Sequence, residues 1–364
     1  MRFSPHVALV SGLLALGTAG GPLAAKGIKH DDSLFYVTIE EHWNSPALSN
    51  LTLQTWGPEL ARQAAPPPAL YEVGPIRLSN MTANHIRKQV ISHLSCPRGL
   101  EHPDLASLAN DQLAAVITSN PDRYAGFAFL PMAHPVQAAA ELERCINRHG
   151  FVGALFDNHL LNGTYFDGAA YRPFWAKAAA LGVPIYLHPT WPNETAFLAS
   201  GAPYAPSDGG TSFNISTALV MGSAGWGWHQ DTGLHFLRLY AAGIFDEFPT
   251  LKIILGHDGE MVPFMLERTT VMLGPHNTNA KTSLLATWKR NVWVTTAGMF
   301  SLAPFAAVLQ TTAVERIMYS VDYPFSSNVK GHEFMTKLRE SGMVTRKEWR
   351  MIAYGNAQKL LGIK

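Results

Sequence analysis

The chain has 364 residues and a formal net charge of +1, with no basic stripe interleaved with aromatics, so nucleic acid is not expected as a partner. With 47% hydrophobic and only 15% charged residues, it is excluded from the disordered class and suits a well-buried globular enzyme. Its length is ample for one large α/β barrel.

At the N-terminus, Arg2 precedes an apolar run from Val7 to Leu16, and small residues from Gly17 to Gly21 follow. This pattern predicts a secretory signal peptide over residues 1–25, cut after Gly17-Thr18-Ala19 or near Ala24 or Ala25. The competing interpretations are a disordered tail or a short membrane anchor, but the run is too short to span a bilayer comfortably. A secreted mature protein without a membrane span is therefore expected. Five sequons, at Asn50, Asn80, Asn162, Asn193 and Asn214, fit a glycosylated secretory product. Cys96 and Cys145 permit one disulfide, but two ordinary thiols are the preferred expectation.

Residues 26–364 are expected to form a single domain. Eight strands are predicted in order: Phe35–Ile39, Gln89–Leu94, Tyr124–Leu130, Phe151–Phe156, Pro184–Leu187, Lys252–Leu255, Val292–Ala297 and Ile317–Ser320. Most are short, continuous apolar runs, as strands buried on both faces should be. Helical spacing is clearest over Leu105–Ser119, Pro135–His149, Tyr171–Leu181 and Leu234–Phe245, with stop signals at Gly150, Gly182 and Pro249. Strands alternating with helices imply parallel βαβ units closing into a TIM-like (β/α)8 barrel. An irregular segment from Trp191 to Gly233, after the fifth strand, is the expected lid. Another irregular piece, Asn44 to Leu78, follows the first strand.

Chemically capable side chains fall where separate strands stop. Glu40 and His42 end FYVTIEEH, His188 ends PIYLHP, His257 ends KIILGH and Asp322 ends IMYSVDYP. Residues two apart on a strand face the same side, so Glu40 and His42 can both enter the barrel mouth while Glu41 points away. A carboxylate and imidazoles converging there fit a divalent cation of the first transition row. Each residue has a blander alternative. Glu40 can simply pair with a neighbour, His188 or His257 can bond backbone, and Asp322 can shape a turn. Their coincidence at one end of several strands favours a site. In Gly256-His257-Asp258-Gly259-Glu260, a carboxylate three residues beyond the imidazole can orient it. The remaining histidines, His229 among them, show no shared face. Signatures of nucleotide binding and of serine hydrolases are missing from the sequence.

The segments TIEEHW, Leu187-His188-Pro189, LKIILGHDGEMVPFMLER, IMYSVDYPF and GNAQKLLGI resemble the amidohydrolase-related barrel family. The resemblance runs from Phe35 to the C-terminus. More narrowly it is to the nonoxidative aromatic acid decarboxylases of the 2,3-dihydroxybenzoate, γ-resorcylate and salicylate type. The Glu-x-His start, where hydrolase relatives carry His-x-His, favours that branch. The resemblance implies metal ligation by Glu40, His42, His188 and Asp322. It implies catalytic roles for His257 and Asp322, support from Glu260, and substrate contact or a supporting role for Arg268. The expected cofactor is one divalent ion, zinc ahead of manganese or magnesium. The expected substrate is a small aromatic carboxylic acid, and a homo-oligomer is compatible with the sequence. A lactone or amide hydrolase on the same ligands is the competing enzyme class, and a secreted non-catalytic binding protein the competing non-enzyme.

Overall fold

A computed structural model describes residues 34–55, 66–192, 195–199 and 201–364. The predicted signal peptide and the Asn193 sequon lie outside the described residues. Among the described residues eight parallel strands follow the expected order: β1 (Tyr36–Trp43), β2 (Ile86–His93), β3 (Tyr124–Gly126), β4 (Ala154–Asp157), β5 (Pro184–His188), β6 (Lys252–Leu255), β7 (Val292–Thr295) and β8 (Ile317–Met318). They form two runs, β1-β2-β3 and β4-β5-β6-β7-β8. Single parallel bridges join the runs at both seams, Ala128 to Ala154 and Glu41 to Tyr323. The second seam is reinforced by His42 N–H donating to Tyr323 O at 2.7 Å and Asp322 N–H to Glu40 O at 2.9 Å. The eight strands thus close into the TIM-like barrel expected from the sequence.

The helices between strands include α1 (Pro75–Ala83), α2 (Pro103–Ser119), α3 (Pro135–His149), α4 (Arg172–Leu181), α5 (Ile215–Gly222), α6 (Gly227–Ala241), α7 (Val262–Leu273), α8 (Leu284–Asn291), α9 (Leu302–Thr311) and α10 (Asn328–Glu340). The barrel interior is filled by Val37, Ile39, Val90, Phe127, Leu155, Tyr186, Ile254 and Met318, with Ala357 and Leu361 of the C-terminal helix Asn356–Leu361 packed onto the same cluster. This is a solid core, so chemistry is confined to the mouth where the strands end.

Several expectations need correction. The first strand runs on past Ile39 to Trp43, and the piece from Asn44 to Leu78 contains the helix Ser49–Thr55 and the start of α1. The third strand is shorter than Tyr124–Leu130, because pairing with β2 stops at Gly126 while Ala128 turns to bridge Ala154 of β4. The helix expected over Leu234–Phe245 starts at Gly227 and breaks before Ile244. Gly243 supplies the break with φ of 76°, a conformation that costs glycine little. The segment Trp191–Gly233 is less irregular than its composition suggested, since it contains α5 and the start of α6. Cys96 and Cys145 are both buried free thiols, as preferred from the sequence. No helix among the described residues is long and apolar enough to cross a membrane.

Candidate active site

Glu40 and His42 enter the mouth from the end of β1. Three steps along β1 match two along β2 between Thr38↔Gln89 and Glu41↔Ile91, so a bulge falls at this point. Such an extra residue re-aims side chains beside it. Glu40 and His42 face the site, whereas Glu41 turns into the wall as expected. There Glu41 accepts from Val321 N–H at 3.1 Å, Tyr323 N–H at 3.3 Å, Ser320 Oγ at 3.3 Å and Gln89 Nε2 at 3.2 Å. These bonds tie the chain leaving β8 to β1 and so place Asp322. Burial pushes the Glu41 carboxyl up to about 8, opposed by the Arg77 guanidinium. Arg77, fully buried, also donates to the His42 carbonyl at 2.9 Å and to Gln89 Oε1 at 2.8 Å.

The four residues expected as ligands converge. His42 Nε2 lies 3.1 Å from Asp322 Oδ1 and 3.9 Å from Glu40 Oε1, and His188 Nε2 lies 3.4 Å from the same Glu40 oxygen. His188 Nδ1 donates to the Pro189 carbonyl at 2.8 Å, which leaves the Nε2 lone pair for the site. Glu40 Oε1 and His42 Nε2 are buried without a hydrogen-bond partner among the described residues. Buried polar atoms are nearly always satisfied, so a focus of lone pairs without donors points to a cation. Glu40, His42 and His188 offer ligand atoms within 4.8 Å of one another, and with Asp322 beside His42 the donor set fits a divalent ion.

His257 completes the ring, its Nε2 3.8 Å from both Glu40 Oε1 and Asp322 Oδ2. Its Nδ1 donates to Glu260 Oε1 at 2.8 Å. Glu260 Oε2 meets His229 Nδ1 at 2.7 Å, and His229 Nε2 faces the Ala224 carbonyl at 3.0 Å. Burial acts to raise Glu260, but His257 and His229 outweigh it and hold the carboxyl down at about 2. Burial likewise opposes ionisation of Asp322, yet the neighbouring His257 and His42 imidazoles hold it well below the usual carboxylate range. Against its own burial, His257 is held well above the ordinary imidazole value by Glu260, Glu40 and Asp322.

Backbone strain gathers at the same place. Of seven described non-glycine residues with positive φ, all but His85 lie in the turns after β6, β7 and β8, including His257 at 46°, Glu260 at 54° and Asp322 at 65°. Gly256 is required here. A Cβ on it would lie 2.7 Å from Glu40 Oε2 and 2.9 Å from the Tyr186 hydroxyl. That hydroxyl donates to Glu40 Oε2 and accepts from Thr295 Oγ1 at 2.7 Å.

Above these groups is a cavity of about 450 Å³, with Trp191, Trp228, Met299 and Phe325 among its apolar walls and His257 and Asp322 on its floor. Trp191 and Trp228 come from the segment expected as a lid, which therefore forms a wall of the site. Arg268 does not join this cavity. It is exposed on α7 and lines a separate surface groove with Leu234, Met265 and Met272, because helical spacing carries it away from the turn that holds His257.

His229, Tyr186 and Arg77 were not singled out from the sequence. Tyr186 had a usable signal, since it lies two residues before His188 on the same strand and so faces the same interior. His229 had none, because only the packing of α6 on the turn after β6 brings it to Glu260.

A family profile described as amidohydrolase matches residues 102–363. The chain belongs to the amidohydrolase family. Among curated relatives, Decarboxylase orsB of Emericella nidulans is 45% identical over 90% of this chain and 97% of its own length. A gamma-resorcylate decarboxylase of Rhodococcus jostii is 34% identical over 80% of this chain and 88% of its own. Among solved structures, dihydroxybenzoic acid decarboxylase from Polaromonas sp., with bound manganese and the inhibitor 2-nitroresorcinol, superimposes with a TM-score of 0.74 at 28% identity, covering 90% of this chain and 97% of that one.

Proposed function

We propose that this protein is a metal-dependent nonoxidative decarboxylase of an ortho-hydroxybenzoate-type aromatic acid, releasing CO2 and a phenol. The observation that carries the proposal is the convergence of Glu40 Oε1 and His42 Nε2, both buried and unpartnered, with His188, Asp322 and His257 under an aromatic-walled cavity. The relatives named above, decarboxylases by name, support it. A divalent ion held by Glu40, His42, His188 and Asp322 would neutralise and fix the phenolate and carboxylate oxygens of the substrate.

The chain's own residues manage the proton. Decarboxylation needs a proton at the ring carbon bearing the carboxylate. The C–C bond then breaks, its electron pair returns to the ring, and CO2 leaves. As an imidazolium, favoured by Glu260, Glu40 and Asp322, His257 carries a proton on Nε2 besides the one that Nδ1 gives to Glu260, and Asp322 Oδ2, 3.8 Å away, takes that proton and passes it to the ring. Trp191, Trp228 and Phe325 exclude water and hold the ring. CO2 release from a panel of hydroxybenzoates tests this, and lactone or amide cleavage without CO2 release would replace it with the hydrolase.

Zinc is the preferred ion, because two imidazoles with two carboxylates suit it. Elemental analysis of protein purified without chelator decides between zinc and manganese. We also assign a cleaved secretory leader over residues 1–25, checked by sequencing the N-terminus of the native protein. Among the described sequons Asn50, Asn162 and Asn214 are exposed and are the expected carriers of glycan. The exposed apolar side chains Leu234, Met265, Val271 and Met272 support self-association through α6 and α7, to be read by sedimentation.

A further inference from the structure

Ligand cavities are lined mainly by apolar side chains, with a few polar groups that decide which ligand fits. In the cavity above the metal centre most of those polar groups are already engaged. His229 is bonded to Glu260 and to the Ala224 carbonyl, His257 is bonded to Glu260, and Asp322 faces His42 and His257. Two hydroxyls line the same cavity, those of Ser223 and Ser326. Ser223 Oγ donates to the Leu219 carbonyl at 2.6 Å, which commits its proton to the end of α5.

Ser326 is different. It stands four residues after Asp322 and is tied to it, since its N–H donates to the Asp322 carbonyl at 2.9 Å. Its side chain is half-buried, and its hydroxyl has no hydrogen-bond partner among the described residues. Gly298 shows where that side chain lies. A Cβ on Gly298 would be 3.7 Å from Asp322 Oδ2 and 3.8 Å from Ser326 Cβ. With φ of 75° this position favours glycine, and Asp322 and Ser326 border the space left by the missing side chain. Among the described residues no Lys or Arg lines the cavity, so that space suits a neutral polar group.

We propose that Ser326 is a specificity-determining residue, whose hydroxyl binds a second ring hydroxyl of the aromatic acid at the position beside the reacting carbon. Which carbon reacts rests on the decarboxylase proposal. The preference for a ring hydroxyl rests on the walls. The reacting carbon stands by Asp322 Oδ2, the group that passes the proton, and one of its ring neighbours carries the hydroxyl directed at the ion. The other neighbour then falls over Gly298, between Asp322 and Ser326. A phenol hydroxyl there and the Ser326 hydroxyl can each donate and accept. A hydrogen or an alkyl group at the same position leaves Ser326 without a partner.

The test compares 2,6-dihydroxybenzoate with salicylate, which lacks the second hydroxyl, on the metal-loaded wild type, Ser326→Ala and Ser326→Thr. Affinity is read by stopped-flow quenching of Trp191 and Trp228, which line the cavity, and turnover by CO2 release. Ser326→Ala should weaken 2,6-dihydroxybenzoate roughly 3–10-fold in affinity and in kcat/KM, the usual contribution of one neutral hydrogen bond, and leave salicylate within about twofold. Ser326→Thr keeps a hydroxyl and should recover most of the loss, and metal content should stay the same in both variants. Equal losses with the two acids, no loss with 2,6-dihydroxybenzoate, or loss of metal in Ser326→Ala would each overturn the assignment. The quenching needs no turnover. A protein that releases no CO2 yet discriminates the two acids through Ser326 retains this role for the residue and loses only the decarboxylase proposal.

Discussion

The Tyr186 hydroxyl donates to Glu40 Oε2, so Oε1 is the oxygen left to face His42, His188 and His257. A phenol inside the barrel thereby fixes which lone pairs the site presents. Tyr186→Phe should keep the fold but free the carboxylate to rotate. Groups that orient a ligand typically contribute about 10–100-fold in metal affinity or activity, and a loss of that size is expected. Metal titration against a competing chelator measures it, and unchanged affinity would show that Glu40 is oriented by other means.

Ligand and acid roles separate by substitution. His188→Ala should lose metal and activity together, since it removes an imidazole that faces the ion directly. His257→Ala should keep most of the metal and lose about 10²–10⁴-fold in rate, the usual contribution of a positioned acid. Asp322→Asn should be the most damaging, because that carboxylate faces both the ion and the proton. Metal content and CO2 release for each folded variant are the measurements. Near-normal decarboxylation by His257→Ala would sink the proton path.

His229 is expected to act through Glu260, not on substrate. His229→Leu leaves Glu260 Oε2 without its donor and loosens His257, so kcat should fall about 10-fold or more while metal content and KM stay near wild type. Steady-state kinetics beside metal analysis reads the split. Equal loss of metal would instead place His229 among the ligands.

Acid should destabilise the fold through buried histidines. Burial holds His235 down at about 3, helped by His159 and Arg238, and its ring nitrogens have no hydrogen-bond partner among the described residues. Burial likewise holds His93 down at about 4. An unfolded chain protonates these rings near 6.5, so below that pH it binds more protons than the folded chain. Stability is therefore full above about 6.5 and falls as pH drops toward 4, by up to roughly 1.4 kcal/mol per pH unit for each ring. Urea midpoints at pH 7 and pH 5 test this, and His235→Phe should lose less on acidification than the wild type.

The strand ends were legible because a parallel barrel needs continuous apolar runs, and each run stops where solvent and chemistry begin. That is why Glu40, His42, His188, His257 and Asp322 were found by their place after VTI, IYL, IIL and IMYSV. Helix α3 was legible to the residue, since Pro135 and Gly150 punctuate it. The start of α6 was not, because Gly227 and Trp228 resemble the loop before them and become helical through packing on the turn after β6.

The sequence by itself determined the barrel, the order of its strands and which side chains stand at its mouth. Those depend on local polarity and on a period-two geometry that one strand carries alone. Only the tertiary structure decided how those groups are held. The contacts of Tyr186 with Glu40 and of His229 with Glu260 span sequence separations of 146 and 31, and Glu41 reaches across 280 residues to the backbone beside Asp322. It also removed Arg268 from the metal-site cavity. Such partners meet because closing the barrel brings its first strand against its last, and no local pattern in the chain records that meeting.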